Sequence, residues 1–528
     1  MSDRASAFRR VLAEEPSLLH QIRRGVEKES LRVTASQATL AQTQHPTALG
    51  SALTHPYITT DYSEALLEFI TPVSSSISAT EQALANLHRF TAQQLQDEFL
   101  WNASMPCIVN GDAGIPIASF GHSNVGRMKR VYRNGLSVRY GRKMQAIAGI
   151  HYNFSLPDAF WDTARSALGN RHDATQFQTE GYLSLIRNFF SRVWLLLYLL
   201  GTSPTVCASF IQGNRSHPLK PMGEDHHSYY LPFATSLRMG DLGYTSNAQA
   251  RMNVCYNDLD QYISTLREAI LTPHPPYESF AQMENGESAQ LNTSLLQIEN
   301  EYYSPIRPKR VTNSGEAPVV ALAHRGVEYV EVRCVDINPF VPFGIDANTM
   351  RLLDLFLLAC LIDDSPLCDE SGQKRNDINL QRVINNGREP GLTLLSQDGS
   401  EKPLAKLAQP VMAQMAEIAA WYDALDAKGT YQEVVNDAQQ KLLDPNLTLS
   451  SRMLREMEET GQSFWQLAQR YSRQWHTEHL AHSLEPSTLA QLRDEAHSSL
   501  SRQREIEALD THSFENYLAE FYRQYTKV

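Results

Sequence analysis

The sequence predicts a mixed α/β body followed by a long helical region, and three observations carry that reading. Strand-like and helix-like segments alternate through the first two-thirds of the 528 residues. From about residue 347 the pattern turns to long helical stretches broken by proline and glycine. Acidic residues also recur inside the apolar strand candidates, where an unpaired carboxylate is costly.

Taken in order, the first strand candidate is residues 23–33. Its period of two puts Glu27 and Glu29 on one face and Val26 and Lys28 on the other. Like charges in neighbouring sheet positions repel, so something cationic is expected between the two carboxylates. Residues 65–70, 148–154 and 327–333 read as further strands by alternation and flanking turns. Helices are expected over 78–98, 178–200 and 257–271, and a surface loop over the Pro-, Glu- and Ser-rich stretch 273–290. Beyond the change of character, helices are expected over 348–363, 403–427, 429–443, 450–476, 487–509 and 512–526. The last of these are heavily charged and therefore solvated. This divides the chain into a body, 1–346, and a mainly helical region, 347–528, packed on it.

Totals exclude several classes. A net charge of -12 argues against nucleic-acid binding, because neutralising phosphates needs a basic surface. The first residues carry no apolar core of a signal peptide. The apolar runs 193–200 and 352–362 fall short of the roughly 18 residues of a membrane span, and Asp354 interrupts the second. Both read as buried helices, with no membrane partner. The six cysteines show no CxxC spacing, which fits a reduced, cytoplasmic protein.

Chemistry concentrates at four places. Besides Glu27 and Glu29, the stretch 58–72 carries Asp61, and Glu64, Leu66, Glu68 and Ile70 share a face if all of it is extended. Glu68 sits between Leu67 and Phe69, a carboxylate inside an apolar strand. Tyr329, Glu331 and Arg333 share a face of the last strand, as His151 and Asn153 do of another. Singly, a strand glutamate is more often solvated or salt-bridged, and a lone histidine is more often a satisfied core residue. Several acidic strands together, with few cations on their faces, point to Mg²⁺ or Mn²⁺, hard ions that take oxygen ligands. No Walker A loop or dinucleotide fingerprint is present, so an ATP site would be built from metals and basic side chains. Residues 127–143 hold seven cations and no acid, and 306–310 form a second basic cluster. Such runs are usually solvated faces, but in an acidic protein they can attract anionic ligands. Arg238 reads equally as a bidentate carboxylate clamp or as a surface salt bridge. Glu224-Asp225-His226-His227 lacks further ligands at zinc spacing and reads as an exposed loop.

These residues fall in motifs that resemble the bacterial glutamate–cysteine ligase (γ-glutamylcysteine synthetase) family. The matching segments are 24–32, 50–55, 59–69, 149–155, 230–232, 234–238, 297–301, 306–310 and 328–340, spread over most of residues 20–345. The resemblance implies an α+β fold, with a glutamine-synthetase-like catalytic body whose antiparallel strands form a funnel. It implies ATP-dependent joining of the L-glutamate γ-carboxyl to the amine of L-cysteine through γ-glutamyl phosphate, the first step of glutathione synthesis. By the same resemblance Glu27, Glu29, Asp61, Glu68, His151 and Glu331 hold divalent ions. Arg238 binds glutamate, Arg333 sits by the phosphates, and Asn153 contributes to substrate binding. Tyr132, Leu136, Gln145, Tyr244 and Tyr303 shape the cysteine pocket with Tyr62 beside them, and the loop 121–145 is the candidate cover. A monomer is expected. The alternatives are a γ-glutamyl ligase for another amine and a non-catalytic regulator that keeps the fold.

Overall fold

A computed structural model of the chain describes residues 2–169, 173–213, 217–224, 226–243, 249, 252, 254–280, 288–426 and 429–528. Its centre is a seven-stranded sheet. The strands are β1 (Arg23–Thr34), β2 (Ile58–Thr60), β3 (Leu66–Ile70), β4 (Glu98–Leu100) and β5 (Ile150–Ser155). A separate three-stranded sheet holds β6 (Thr205–Cys207), β7 (Lys220–Met222) and β8 (Ser228–Tyr230). The main sheet is completed by β9 (Ile306–Lys309) and β10 (Tyr329–Val335). Its order is β2-β3-β1-β5-β10-β9, with β4 pairing the end of β1, and every neighbouring pair is antiparallel. Among the described residues the fold is thus mixed α and β around an antiparallel sheet.

The registers decide which side chains meet. Glu29 lies opposite Glu68, and Glu27 opposite both Ile70 and His151. Asn153 lies opposite Gly25 and Glu331, and Glu331 opposite Arg307. Because side chains alternate across a strand, these registers place Glu27, Glu29, Glu68, His151, Asn153 and Glu331 on one face. The other face carries Val26, Lys28, Phe69, Tyr152 and Val332, all fully buried.

Helices cover that apolar face. His88 of the helix Ile77–Gln94 packs its ring on Phe69 with centroids 4.8 Å apart. Tyr152 donates its hydroxyl to Asp354 at 2.7 Å on the helix Ala347–Leu361, and Asp354 also pairs with Arg24 at 2.7 Å. The aspartate that interrupts an apolar run in the sequence is therefore the fully buried partner of a buried arginine. The helix Ala174–Leu200 is long and apolar enough to cross a membrane, more than its apolar run alone indicates, and 78% of its most apolar window is buried inside this fold.

Several elements depart from the sequence reading. The region 121–145 is no loop: Ser123 caps a helix, Asn124–Tyr140, and a short turn of helix, Arg142–Gln145, follows Gly141. Residues 450–476 divide into two helices, Leu449–Thr460 and Phe464–Ala481, where Gly461 takes a left-handed φ of 67°. The helix Glu370–Asn386 is not among the expected ones, because its polar sequence offers few apolar residues to mark a buried face. A short hairpin, β11 (Thr393–Leu395) with β12 (Glu401–Pro403), interrupts the later helices. Glu64 also leaves the expected face. The strand begins at Leu66, and the Glu64 carboxylate turns to accept the backbone N–H groups of His45 and Ser119 at 2.8 and 2.7 Å.

Candidate active site

The polar face of the sheet is built around His151. Its Nδ1 lies 3.2 Å from Glu27 and 3.8 Å from Glu331, and its Nε2 lies 3.7 Å from Glu29. The group that stands between Glu27 and Glu29 is thus an imidazole from the neighbouring strand. Asn153 donates to Glu27 Oε1 at 2.8 Å, while its buried Oδ1 finds no hydrogen-bond partner. Glu29 accepts the Gly149 N–H at 2.6 Å.

Electrostatics split this cluster in two. Burial pushes the Glu331 carboxyl up, but Lys309, Arg333, His151 and Arg307 together hold it well below the usual carboxylate range. Lys309 and Arg333 reach it at 3.4 and 3.1 Å. Glu27 faces the same burial and is likewise lowered, by the His151 hydrogen bond. At Glu29 and Glu68 the nearby cations do not outweigh burial and like charge. Burial, then the charge of Asp61, raises Glu29, and burial, then Glu27, Asp61 and Glu29, raises Glu68 well above its ordinary value. This side of the cluster is short of positive charge. Donor atoms of Glu27, Glu68 and His151 converge within 4.8 Å of one another, so those three residues could hold a metal ion. The donor set, two carboxylates and an imidazole with an unpaired amide oxygen nearby, fits a hard divalent cation.

Two guanidinium groups border the cluster. Arg333 reaches His151 Nδ1 at 3.4 Å as well as Glu331. Arg238 is no surface residue: it is 1% exposed, lies 3.8 Å from Asp336, and donates to the Arg333 carbonyl at 3.0 Å. Asp336 is itself fixed by the Ser236 hydroxyl and the Thr202 N–H at 2.9 and 2.8 Å. Gly149 makes room for this arrangement, because a Cβ there would fall 1.8 Å from Arg238 Nη2. His151, Arg238 and Arg333 line a cavity of about 730 Å³. Its far wall is the helix Glu370–Asn386, through Gln373, Asn376 and Asp377. Nothing in the sequence pointed there; the signal exists only in the packing.

The aromatic residues form a second group. Gln145 donates to the Tyr303 hydroxyl at 2.9 Å, and Tyr303 packs edge-on against Tyr140 with centroids 6.0 Å apart. Leu136 and Tyr132 come from the helix Asn124–Tyr140, and Tyr62 is buried, which pushes its hydroxyl up to about 12. Asn153 belongs to the acidic cluster rather than to this group, and Tyr244 lies outside the described residues. The basic run 127–143 is only partly solvated. Arg139 is fully buried against Glu301 at 2.9 Å, and Arg133 donates to the Asp61 carbonyl and stacks on Phe120. Glu224, His226 and His227 are exposed, while Asp225 lies outside the described residues.

Fold and site together describe a sheet-based centre, rich in carboxylates and flanked by guanidinium groups, for charged small molecules. The particular family follows from comparison. A family model described as glutamate-cysteine ligase matches residues 10–383. A glutamate–cysteine ligase of Azotobacter vinelandii is 49% identical over 510 residues, covering 96% of this chain and 95% of that protein. One from Pseudomonas paraeruginosa is 48% identical, covering 96% and 94%. The crystal structure of the Francisella tularensis glutamate–cysteine ligase in complex with AMP superposes with a TM-score of 0.89 at 35% identity, over 96% of this chain and 98% of that one. This chain belongs to the glutamate–cysteine ligase family.

Proposed function

We propose that this chain joins the γ-carboxyl of L-glutamate to the amine of L-cysteine, using ATP and releasing ADP and phosphate, as the first step of glutathione biosynthesis. The observation that carries it is the convergence of Glu27, Glu68 and His151 donors within 4.8 Å, beside Arg238 and Arg333, in a member of this family. AMP in the Francisella relative supports the nucleotide.

The chemistry explains such a face. A carboxylate is a poor acyl donor, since its leaving group would be oxide, and phosphorylation to γ-glutamyl phosphate supplies a better one. Phosphoryl transfer asks the protein mainly for positioning and positive charge. Mg²⁺, or Mn²⁺, held by Glu27, Glu29, Asp61, Glu68, His151 and Glu331 would supply that charge to the phosphate oxygens. Arg238, anchored on Asp336, is oriented to grip the glutamate carboxylate, and Arg333 stands by the phosphates. Tyr62, Tyr132, Leu136, Gln145, Tyr244 and Tyr303 shape the pocket for the amine substrate, and Asn153 contributes to substrate binding. The helix Asn124–Tyr140 screens the acyl phosphate from water.

In this reading the catalytic body is 1–346, its sheet forms a funnel, and 347–528 packs on it. The enzyme works as a monomer in the cytoplasm, free of nucleic acid and membrane. ADP release is expected to require glutamate, cysteine and Mg²⁺ together. Release that does not depend on cysteine would sink the assignment.

A further inference from the structure

The family match ends at residue 383, yet a segment far beyond it packs against the helix that carries Tyr132 and Leu136. The helix Phe514–Arg523 lies along the helix Asn124–Tyr140. Phe514 forms a small apolar cluster with Met128, Val131 and Leu291, and the Arg127 guanidinium sits 4.5 Å above its ring. Just before it, Asn124 donates its amide to Asp510 and to the His512 carbonyl at 2.6 and 2.8 Å.

The far end of that helix makes the polar connection. The Tyr522 hydroxyl donates to the Gln297 carbonyl at 2.8 Å and accepts from Asn292 Nδ2 at 2.8 Å. Gln297 is the hub. Its side chain donates to the Tyr132 carbonyl at 3.2 Å, and its N–H donates to Glu301 at 2.7 Å. Helix and hub touch at Gly135, where a Cβ would fall 2.1 Å from Gln297 Oε1. Gln249 then links the Glu301 carbonyl, at 2.7 Å, to the Tyr303 N–H, at 3.0 Å. Tyr303 ends the chain at Gln145. Each link fixes a residue that carries the next, so Tyr522 is tied through Gln297 and Glu301 to both Tyr132 and Tyr303.

We propose that Tyr522 is a positioning residue for the amine-substrate pocket, setting the placement of Tyr132 and Tyr303 through Gln297. This rests on the reading above that Tyr132, Gln145 and Tyr303 receive cysteine. Tyr522→Phe keeps the ring and removes both hydroxyl bonds. The measurement is the KM for L-cysteine, L-glutamate and ATP, together with kcat, in Tyr522→Phe and in Gln145→Ala. Tyr522→Phe is expected to raise the cysteine KM about fivefold, the equivalent of one neutral hydrogen bond of ~1 kcal/mol. The glutamate and ATP values and kcat stay near wild type. A merely structural role would lower kcat and leave all three KM values alone; that outcome, or a parallel rise in all three, overturns the proposal. If Gln145→Ala raises the cysteine KM and Tyr522→Phe does not, the proposal falls while the pocket reading stands. If neither does, the pocket reading itself falls. Hydrogen exchange on the wild-type enzyme gives a check that needs no variant. Saturating L-cysteine is expected to slow exchange in both 289–303 and 514–526, and slowing confined to the first segment contradicts the proposal.

Discussion

Glu68→Gln is expected to stabilise the metal-free protein while removing its activity. Glu68 faces Glu29 across the β1–β3 pair, and burial followed by Glu27, Asp61 and Glu29 raises its carboxyl well above the ordinary range. Unit charges no more than 4.8 Å apart, the limit within which the Glu27, Glu68 and His151 donors lie, repel by about 3.5 kcal/mol or more at an effective dielectric near 20. Proton uptake relieves part of it, leaving a gain of about 1–2 kcal/mol for the neutral amide. The sign with pH is fixed by linkage. A folded-state pKa above the unfolded value means that the folded state binds the extra proton between the two, so stability falls as pH rises through that window. Thermal melts of metal-free wild type and variant, from acid to mildly alkaline pH, read this directly. The variant is expected to melt higher, by a margin that grows with pH, and to gain less than wild type from added Mg²⁺. A variant that melts lower at every pH, or responds to Mg²⁺ as wild type does, contradicts the charge repulsion and the metal role assigned to Glu68.

Two further outcomes are expected. Gly149→Ala drives a Cβ to within 1.8 Å of the Arg238 guanidinium, so the glutamate KM should rise tenfold or more, about 1.4 kcal/mol, with the ATP KM little changed; an unaltered glutamate KM contradicts the role given to Arg238. Asp354→Ala strands Arg24 in the core and should cost about 3–5 kcal/mol in urea unfolding, most of it recovered when Arg24→Met is added; a loss that the second change does not recover counts against the buried pair.

Much of the sheet was legible in the sequence because alternation is a local signal. Glu27 against Lys28, His151 with Asn153, and Glu331 with Arg333 all emerge on the faces their spacing implies. Glu64 did not, because a turn ahead of Leu66 breaks the extended run and turns its carboxylate to two backbone amides. In the basic run 127–143 local charge left two readings open, a solvated face or an anion site, and the partners come from distant segments: Arg139 pairs with buried Glu301 and Arg133 donates to the Asp61 carbonyl. Long-range packing was out of reach. That Asp354 would answer Arg24, that helix Glu370–Asn386 would wall the cavity, and that Tyr522 would reach Gln297 are facts of tertiary contact alone. Lys28 shows the limit most simply. Its place opposite the glutamates is a matter of period, but its burial beside Ser30 and His88, which pushes its pKa down to about 7, is not.

The most direct test of the account follows one oxygen atom. L-glutamate carrying oxygen-18 in its γ-carboxylate is turned over with ATP, L-cysteine and Mg²⁺, and the released phosphate is analysed by mass. Activation through γ-glutamyl phosphate requires one labelled oxygen to leave with each phosphate, and that transfer is the expected result. Phosphate released without label, while γ-glutamylcysteine still forms, would contradict the role assigned to the carboxylate face of the sheet.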